Sequence, residues 1–413
     1  MSYILDRNNC VGLLDIINSK ESNVNGELIL NTNYSLDEHR IIHYDKNKLS
    51  ICENDYNYKY CRSIVVNKNN KVICFSPPKS IQFDMFKSLY PEKTEDIIAC
   101  EIIEGTMINV FWDPDNITGK WNVSTKRILG ASKGFYNKMT FLEMFLHALN
   151  HINLDLNDLD KSYCYSFVLQ HPNNRIVTYF GEPYLYLISV FQIKNNFYEG
   201  SSYYLKSVEV TCIDHNIIKE NNAVNASFLR FPLHYQSDSY EELIQTYSSQ
   251  KTNHSIVGVM FYNKITCTRS KHINKKYLYV KGLRGTHYSL LYNFISLLKS
   301  SNIQPFLYYY PEFTSAFFLY NRILEEFIRS LYYYYDNCFI LKKIKFKCIP
   351  YYYKINLLNI NNEELKKKTD LHHIIPLNMT TINSYVYNME TIHLFNCLNF
   401  IKNSYTMYES TPP

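Results

Sequence analysis

The run Tyr165-Ser166-Phe167-Val168-Leu169-Gln170-His171-Pro172-Asn173-Asn174-Arg175-Ile176-Val177 joins two β-type segments through a polar turn. Tyr163 to Leu169 and Arg175 to Tyr179 are rich in aromatic and β-branched residues, and the Pro-Asn-Asn between them is turn chemistry. Outward in both directions the same grammar recurs. Ser63 to Val66 and Lys71 to Phe75 flank a turn at Asn69-Asn70, and Met107 to Trp112, Tyr184 to Ile193 and Ile256 to Tyr262 are further strand runs. Helical pieces sit between them. Met139 to Ile152 places Phe141, Met144, Phe145, Ala148 and Leu149 on one face, and Tyr240 to Ser248 is a shorter case. From Lys59 to Val280 the expectation is an antiparallel sheet domain with inserted helices.

After Gly285 the period changes. Leu290, Leu291, Phe294, Leu297 and Leu298 recur at helical spacing, as do Phe317, Tyr320, Leu324, Phe327, Ile328 and Leu331, with Glu325, Glu326 and Arg329 opposite. Val386 to Ile401 reads as a last helix. The fold class expected is therefore α+β, with an N-terminal segment over 1–40, a sheet domain over 41–285 and a mostly helical domain over 286–413.

Several short segments of the sheet region resemble, in order, the nucleotidyltransferase domain of the phage-type tRNA-repair RNA ligases. Arg62-Ser63-Ile64-Val65-Val66 is similar to their strand that opens with Arg and a small residue. Ser76-Pro77-Pro78-Lys79-Ser80-Ile81-Gln82-Phe83 is similar to their Pro-Pro/Lys-aromatic loop. Glu101-Ile102-Ile103-Glu104-Gly105-Thr106-Met107 stands at the place of the nucleophile motif Lys-x-Asp-Gly-Ser, and Ser124-Thr125-Lys126-Arg127 at that of a Thr-Arg/Lys-Gly element. The opening run is similar to Phe-Glu-Phe-Val followed by Pro-x-Asn-Arg-Ile-Val and is the most specific match. Ile256-Val257-Gly258-Val259-Met260 stands for Glu-Gly-Val-Val, and Tyr279-Val280-Lys281 for a closing Lys-x-Lys. The likeness covers roughly residues 40 to 290, and the helical tail resembles the family's tRNA-gripping domain in class alone.

The family's chemistry needs a Lys amine that attacks the α-phosphate of ATP, with carboxylates for metal and cations for phosphate. Here the nucleophile position falls on Ile102, the Glu of the Phe-Glu-Phe-Val run on Ser166, the later metal Glu on Val257, and the first closing Lys on Tyr279. Arg62, Lys79, Glu104, Lys126, Arg175 and Lys281 remain as RNA- or phosphate-binding candidates, with no catalytic residue and no metal ligand. The resemblance thus implies a chain that binds tRNA or its cleaved ends without ligating them. No cofactor is expected; ATP and Mg²⁺ enter only if the chain is instead an active, divergent ligase. A register shift that makes Lys87 or Lys93 the nucleophile lacks the acidic-Gly pair at the required spacing.

Composition bounds the rest. The chain has 413 residues, 43 Lys+Arg against 38 Asp+Glu, and a net charge of +5, spread along the sequence. With 46% hydrophobic residues it is not a disordered chain, and no apolar run reaches the roughly 18 residues of a membrane span. The first twenty residues lack the basic-then-apolar order of a signal peptide. Eleven cysteines, scattered singly with no CxxC, read as thiols in a reducing cytoplasm, and the Asn-x-Ser/Thr matches are then incidental. There are 39 Tyr and 45 Asn against 11 Gly. These are the residues of AT-rich codons, as on a large DNA virus or a cytoplasmic linear plasmid. That setting suggests immunity to a tRNA-cleaving killer toxin, either by shielding tRNA or by sequestering the toxin itself.

Other groups carry two readings. The Tyr runs at 308–310, 332–335 and 351–353 stack on bases or line a core edge. Lys342, Lys343, Lys345 and Lys347, and Lys366 to Lys368, are solvated faces or phosphate contacts. His372 and His373 with Asp370 read as a loop rather than metal ligands, and Asp113, Asp115 and Asn116 as a hairpin turn. No P-loop or GxGxxG is present.

Overall fold

Side-chain alternation along Thr106–Trp112 sorts the first part of the molecule into layers: Ile108 and Val110 enter one core, Phe111 the opposite one. The computed structural model describes residues 2–10, 12–19, 28–31, 38–44, 59–115, 119–134, 139–370 and 378–409, without the side chains of 28–31, 363–370 and 404–409. Asn116 and the His372-His373 pair lie outside the described residues, as do the side chains of Lys366 to Lys368 and Asp370. The chain divides into two units, Met1–Tyr279 and Val280–Pro413.

The strands of the first unit are β1 (Ser2–Leu5), β2 (Leu28–Asn31), β3 (Arg40–Tyr44), β4 (Ile64–Val66), β5 (Val72–Phe75), β6 (Ile97–Glu101) and β7 (Thr106–Trp112). They continue with β8 (Trp121–Thr125), β9 (Tyr163–Gln170), β10 (Tyr184–Phe197), β11 (Leu205–Ile213), β12 (His234–Tyr235), β13 (Gly258–Asn263) and β14 (Arg269–Ile273). They form three sheets, ordered β1-β11-β10-β9-β7-β8, β12-β6-β13-β14 and β2-β3-β4-β5, with antiparallel pairing between neighbouring strands. One face of the six-stranded sheet packs on the β2-β5 sheet through Phe111, Phe191, Val65 and Phe75. Helix α1 (Leu13–Ser19) joins this core through Leu13, Leu14, Ile16 and Ile17, so residues ahead of position 40 belong to the first unit.

Helix α2 (Phe83–Leu89) lies on the β12-β6-β13-β14 sheet. Helix α3 (Phe141–His151) covers the other face of the large sheet with Met144, Phe145, Ala148 and Leu149, as the sequence period predicts. A capping box fixes its start: Thr140 Oγ1 accepts the Glu143 N–H at 3.2 Å, and Glu143 accepts the Thr140 N–H at 2.7 Å. Short helices α4 (His215–Lys219) and α5 (Asn222–Ala226) follow, and α6 (Tyr240–Tyr247) buries Tyr240 and Leu243 against the β12-β6-β13-β14 sheet.

Helix α7 (Lys275–Arg284) spans the division between the units. The second unit continues as α8 (Leu290–Lys299), α9 (Ile303–Tyr309), α10 (Thr314–Tyr335), α11 (Tyr351–Asp370), α12 (Met379–Asn388) and α13 (Thr391–Glu409). The expected α+β class, with antiparallel sheets and a mostly helical C-terminal part, is what forms. Two local expectations give way: Arg175 to Tyr179 is not a strand, and Val386 to Ile401 is split between α12 and α13. Tyr279-Val280-Lys281 lies in α7. No described helix is long and apolar enough to cross a membrane.

Candidate anion-binding cleft

The loop 102–105 between β6 and β7 is shaped by a close approach. Gly105 has φ +146°, and a Cβ there would stand 2.4 Å from the Leu169 carbonyl oxygen. Only glycine lets β7 start this close to β9. Beside it Glu104 is 6% exposed, and its Oε1 accepts the N–H groups of Val177 and Thr178, each at 3.0 Å. The Gln170 side-chain amide donates to the Glu104 carbonyl at 3.0 Å, and Asn174 Nδ2 donates to Thr106 Oγ1 at 2.9 Å. These bonds explain why 175–179 is no strand: its main-chain donors serve a carboxylate more than seventy residues earlier, not a ladder. The turn His171 to Asn174 is closed on itself, and the Asn173 N–H donates to His171 Nδ1 at 3.1 Å. The proton of that ring therefore sits on Nε2, which donates to His147 Nδ1 at 3.0 Å. Burial, then the neighbouring His147, push His171 down to about 4.

The second element of the site is a set of cations gathered on one phenol. Tyr44 ends β3 and is 6% exposed. Lys126 Nζ donates to its hydroxyl at 3.1 Å and lies 4.3 Å from the ring centre; Lys79 Nζ stands 5.9 Å from that centre. Burial raises the Tyr44 phenol, and Arg62 and Arg127 pull it back. Arg62 donates to the Pro77 carbonyl at 3.4 Å. Burial, then the like charge of Arg269, depress its guanidinium to about 10, against the opposing effect of Tyr44. Arg269 Nη1 is itself buried with no hydrogen-bond partner among the described residues. Arg62, Lys79, Arg127 and Arg269 make no ion pair among the described residues.

Between these elements runs a buried neutral row. Asn109 pairs across the ladder with Ser166 on β9 and Ser124 on β8. Ser166 donates to Asn109 Oδ1 at 2.9 Å, and Asn109 Nδ2 donates to Ser63 Oγ at 3.3 Å; all three side chains are fully buried. Position 166, where the resemblance implies a carboxylate, is therefore taken by a buried serine whose hydroxyl donates to Asn109. Ile102 is half-buried and Val257 is 8% exposed. Gly258, like Gly105, admits no Cβ, since one would meet the His272 carbonyl oxygen at 2.2 Å.

Of the six candidates, Arg62, Lys79 and Lys126 meet around Tyr44. Glu104 and Arg175 meet at the 175–179 loop, where Arg175 Nε donates to the Val177 carbonyl at 3.1 Å and the guanidinium stands 5.8 Å from the Tyr179 ring. Lys281 lies apart from these in the division of the chain, on α7 in the second unit. Sequence reading passed over Arg269 and Lys271, which share one face of β14 beside β13. The signal was the Arg-Ser-Lys triplet ten residues earlier than the one chosen. Lys87 sits on α2 in an ion pair with Glu241, far in character from a nucleophile loop. Asp113 accepts from His39 at 2.8 Å and from Asn67 at 2.9 Å, and Asp115 accepts from Lys71 at 2.8 Å, so these carboxylates close the β7-β8 turn region. Among the described residues no three His, Cys, Asp or Glu side chains are grouped to hold a metal.

No family model matches the sequence, and no curated protein matches it either. Among solved structures the chain is similar to an archaeal ATP-dependent RNA ligase, at 8% identity and a TM-score of 0.41, over 70% of this chain and 67% of that one. It is also similar to the RNA ligase of Naegleria gruberi, in a mutant form with ATP and manganese, at 9% identity and a TM-score of 0.35. That match takes in 51% of this chain and a little over half, 58%, of the Naegleria chain.

Proposed function

We propose that the first unit binds RNA in its cationic cleft without forming a covalent nucleotide, and that the RNA is a tRNA or its cleaved ends. The observation that carries this is the gathering of Arg62, Lys79 and Lys126 on Tyr44, with Arg127 and Arg269 beside them, next to a loop whose position 102 is an isoleucine. Like charges held together in a partly buried place cost free energy, which an anionic ligand relieves. Phosphates along an RNA backbone suit such a set, because it reads charge rather than sequence. Glu104 serves the cleft by holding the loop that carries Arg175. Ile102 offers no amine to attack a phosphate, so the reading is of a binding protein in a ligase-like frame. The tRNA assignment draws on the family resemblance, and the step to immunity against an anticodon nuclease adds the AT-rich composition.

Filter retention of labelled total tRNA tests the reading. Lys79→Glu with Lys126→Glu is expected to abolish retention, and chelation of divalent metal to leave wild-type retention unchanged. Incubation with α-phosphate-labelled ATP is expected to leave the protein unlabelled. A labelled protein band makes it a ligase, and retention that survives both charge reversals removes the cleft as the site. Equal sensitivity to every anticodon nuclease tried, with and without the protein, removes the immunity step alone.

A further inference from the structure

The loop between α10 and α11 spends its main-chain hydrogen bonds on itself and turns its charge outward. One wide helical turn, Asp336–Ile340, ends α10, and the Leu341 N–H closes it on the Asp336 carbonyl at 2.8 Å. The N–H groups of Lys343 and Ile344 both donate to the Asn337 carbonyl, at 2.8 and 3.1 Å. Further on, Cys348 donates to the Lys345 carbonyl at 2.9 Å and Ile349, 2% exposed, anchors the loop in the unit's core. Phe339 and Phe346 stand 6.1 Å apart beneath it. This is a pinned loop, yet Lys342, Lys343, Lys345 and Lys347 are all exposed and none makes an ion pair among the described residues. Lys342 adopts φ +55°, a left-handed conformation that a lysine takes only under constraint. From 336 to 354 five lysines face a single carboxylate, Asp336.

Aromatic rings flank that charge. The Tyr runs divide: Tyr335 and Tyr353 are buried, 4% and 5% exposed, whereas Tyr333 is 53% and Tyr351 85% exposed. Tyr353 stacks on Phe327 at 5.6 Å, which fixes the first turn of α11 and displays Tyr351. Lys354, one turn on from Tyr351, donates to the Lys347 carbonyl at 3.0 Å, so Tyr351 and the end of the lysine loop share one side of the helix. Tyr333 lies one turn before Asn337, whose carbonyl holds the loop's start.

We infer that this loop is a second RNA-contact surface, one that grips a single-stranded stretch, with phosphates on Lys342, Lys343, Lys345 and Lys347 and bases stacked on Tyr351 and Tyr333. The partner class rests on the RNA reading of the cleft; the surface itself rests on the loop alone. Flat, exposed phenols beside a row of point charges suit unpaired bases, whose faces stack without regard to sequence. Nothing in the loop reads base edges, so the contact is sequence-tolerant.

The test uses the full chain, a fluorescein-labelled twelve-nucleotide oligouridine and a titration of salt. Changing the four lysines to Gln is expected to flatten the dependence of log Kd on log salt by roughly 0.7 per lysine in contact, up to about 3. Tyr351→Ala is expected to weaken binding about tenfold with the salt slope unchanged, and Tyr351→Trp to restore it. Both variants are to be compared with Lys79→Glu/Lys126→Glu in the first unit. Loss of binding in that cleft variant, with the loop variants like wild type, overturns the loop surface and leaves the cleft reading standing. Wild-type protein that binds neither oligouridine nor tRNA overturns both. Cosedimentation with phosphatidylserine vesicles that needs the lysines, without oligouridine binding, overturns the RNA assignment of the loop in favour of an anionic lipid surface.

Discussion

The cations of the first unit and the lysines of the second are placed by opposite means. Arg62 and Lys126 are half-buried, bonded to a carbonyl and a phenol, and set by strands that also carry the core. Lys342, Lys343, Lys345 and Lys347 stand in solvent on a loop whose fold uses only their backbone. The former are set in place by the frame, which holds like charges together against their mutual repulsion. The latter contribute nothing to packing, so their charge needs a reason outside the fold. The half-buried set thus reports on the frame and on a ligand together, and the exposed, unpaired row on a partner alone.

The contrast breaks most sharply at the frame. Gly105→Ala forces a Cβ against the Leu169 carbonyl at positive φ and is expected to cost roughly 3–5 kcal/mol in urea unfolding. A loss under about 1 kcal/mol would mean that the 102–105 loop moves freely. Glu104→Ala leaves one buried and one half-buried N–H donor unanswered and is expected to cost about 3 kcal/mol, with RNA retention falling in step with stability.

Acid offers a third handle. The unfolded chain protonates His171 near its ordinary 6.5, whereas the folded ring holds out to about 4, so the unfolded state takes up the proton in between. Stability is therefore full above pH 6.5 and falls as pH drops towards 4, by on the order of 2 kcal/mol; His171→Asn should flatten that part of the profile. His215, also lowered to about 4 mainly by burial, adds a loss over the same window, so the slope should shrink without vanishing.

Smaller effects separate the two cation sets. Tyr44→Phe removes the hydroxyl that holds Lys126 and is expected to cost about 1 kcal/mol, with a larger proportional loss of tRNA retention. The four loop lysines changed to Gln should leave stability within about 0.5 kcal/mol of wild type. A measurable destabilisation there would make them part of the frame after all.

What the sequence disclosed follows the reach of each interaction. The β4-β5 hairpin about Asn69-Asn70, the β7 strand and the amphipathic α3 with its Thr140 cap are written in neighbouring residues, and each was legible. The 175–179 loop was not, because its amides answer to Glu104. The break between α12 and α13 has no Gly or Pro to announce it; the Met389 carbonyl there is taken by Lys299, ninety residues away. For the site, the Arg62, Lys79 and Lys126 positions were readable from short motifs. Tyr44, which gathers them, was not, since a lone Tyr among 39 carries no local mark. Lys281 was chosen from a motif position alone; it sits on a helix that Asn274 starts by accepting the Lys276 N–H.

The pairing of β1 with β11 has a consequence in time. Ser2 meets Thr211, so β1 waits for about 200 further residues, roughly ten to forty seconds of synthesis, before its partner exists. During that interval Tyr3, Leu5 and the apolar side of α1 have none of their β11 contacts and are natural clients for a chaperone. In the second unit the wait is about half as long, since α8 finds its partner α13 only about a hundred residues later.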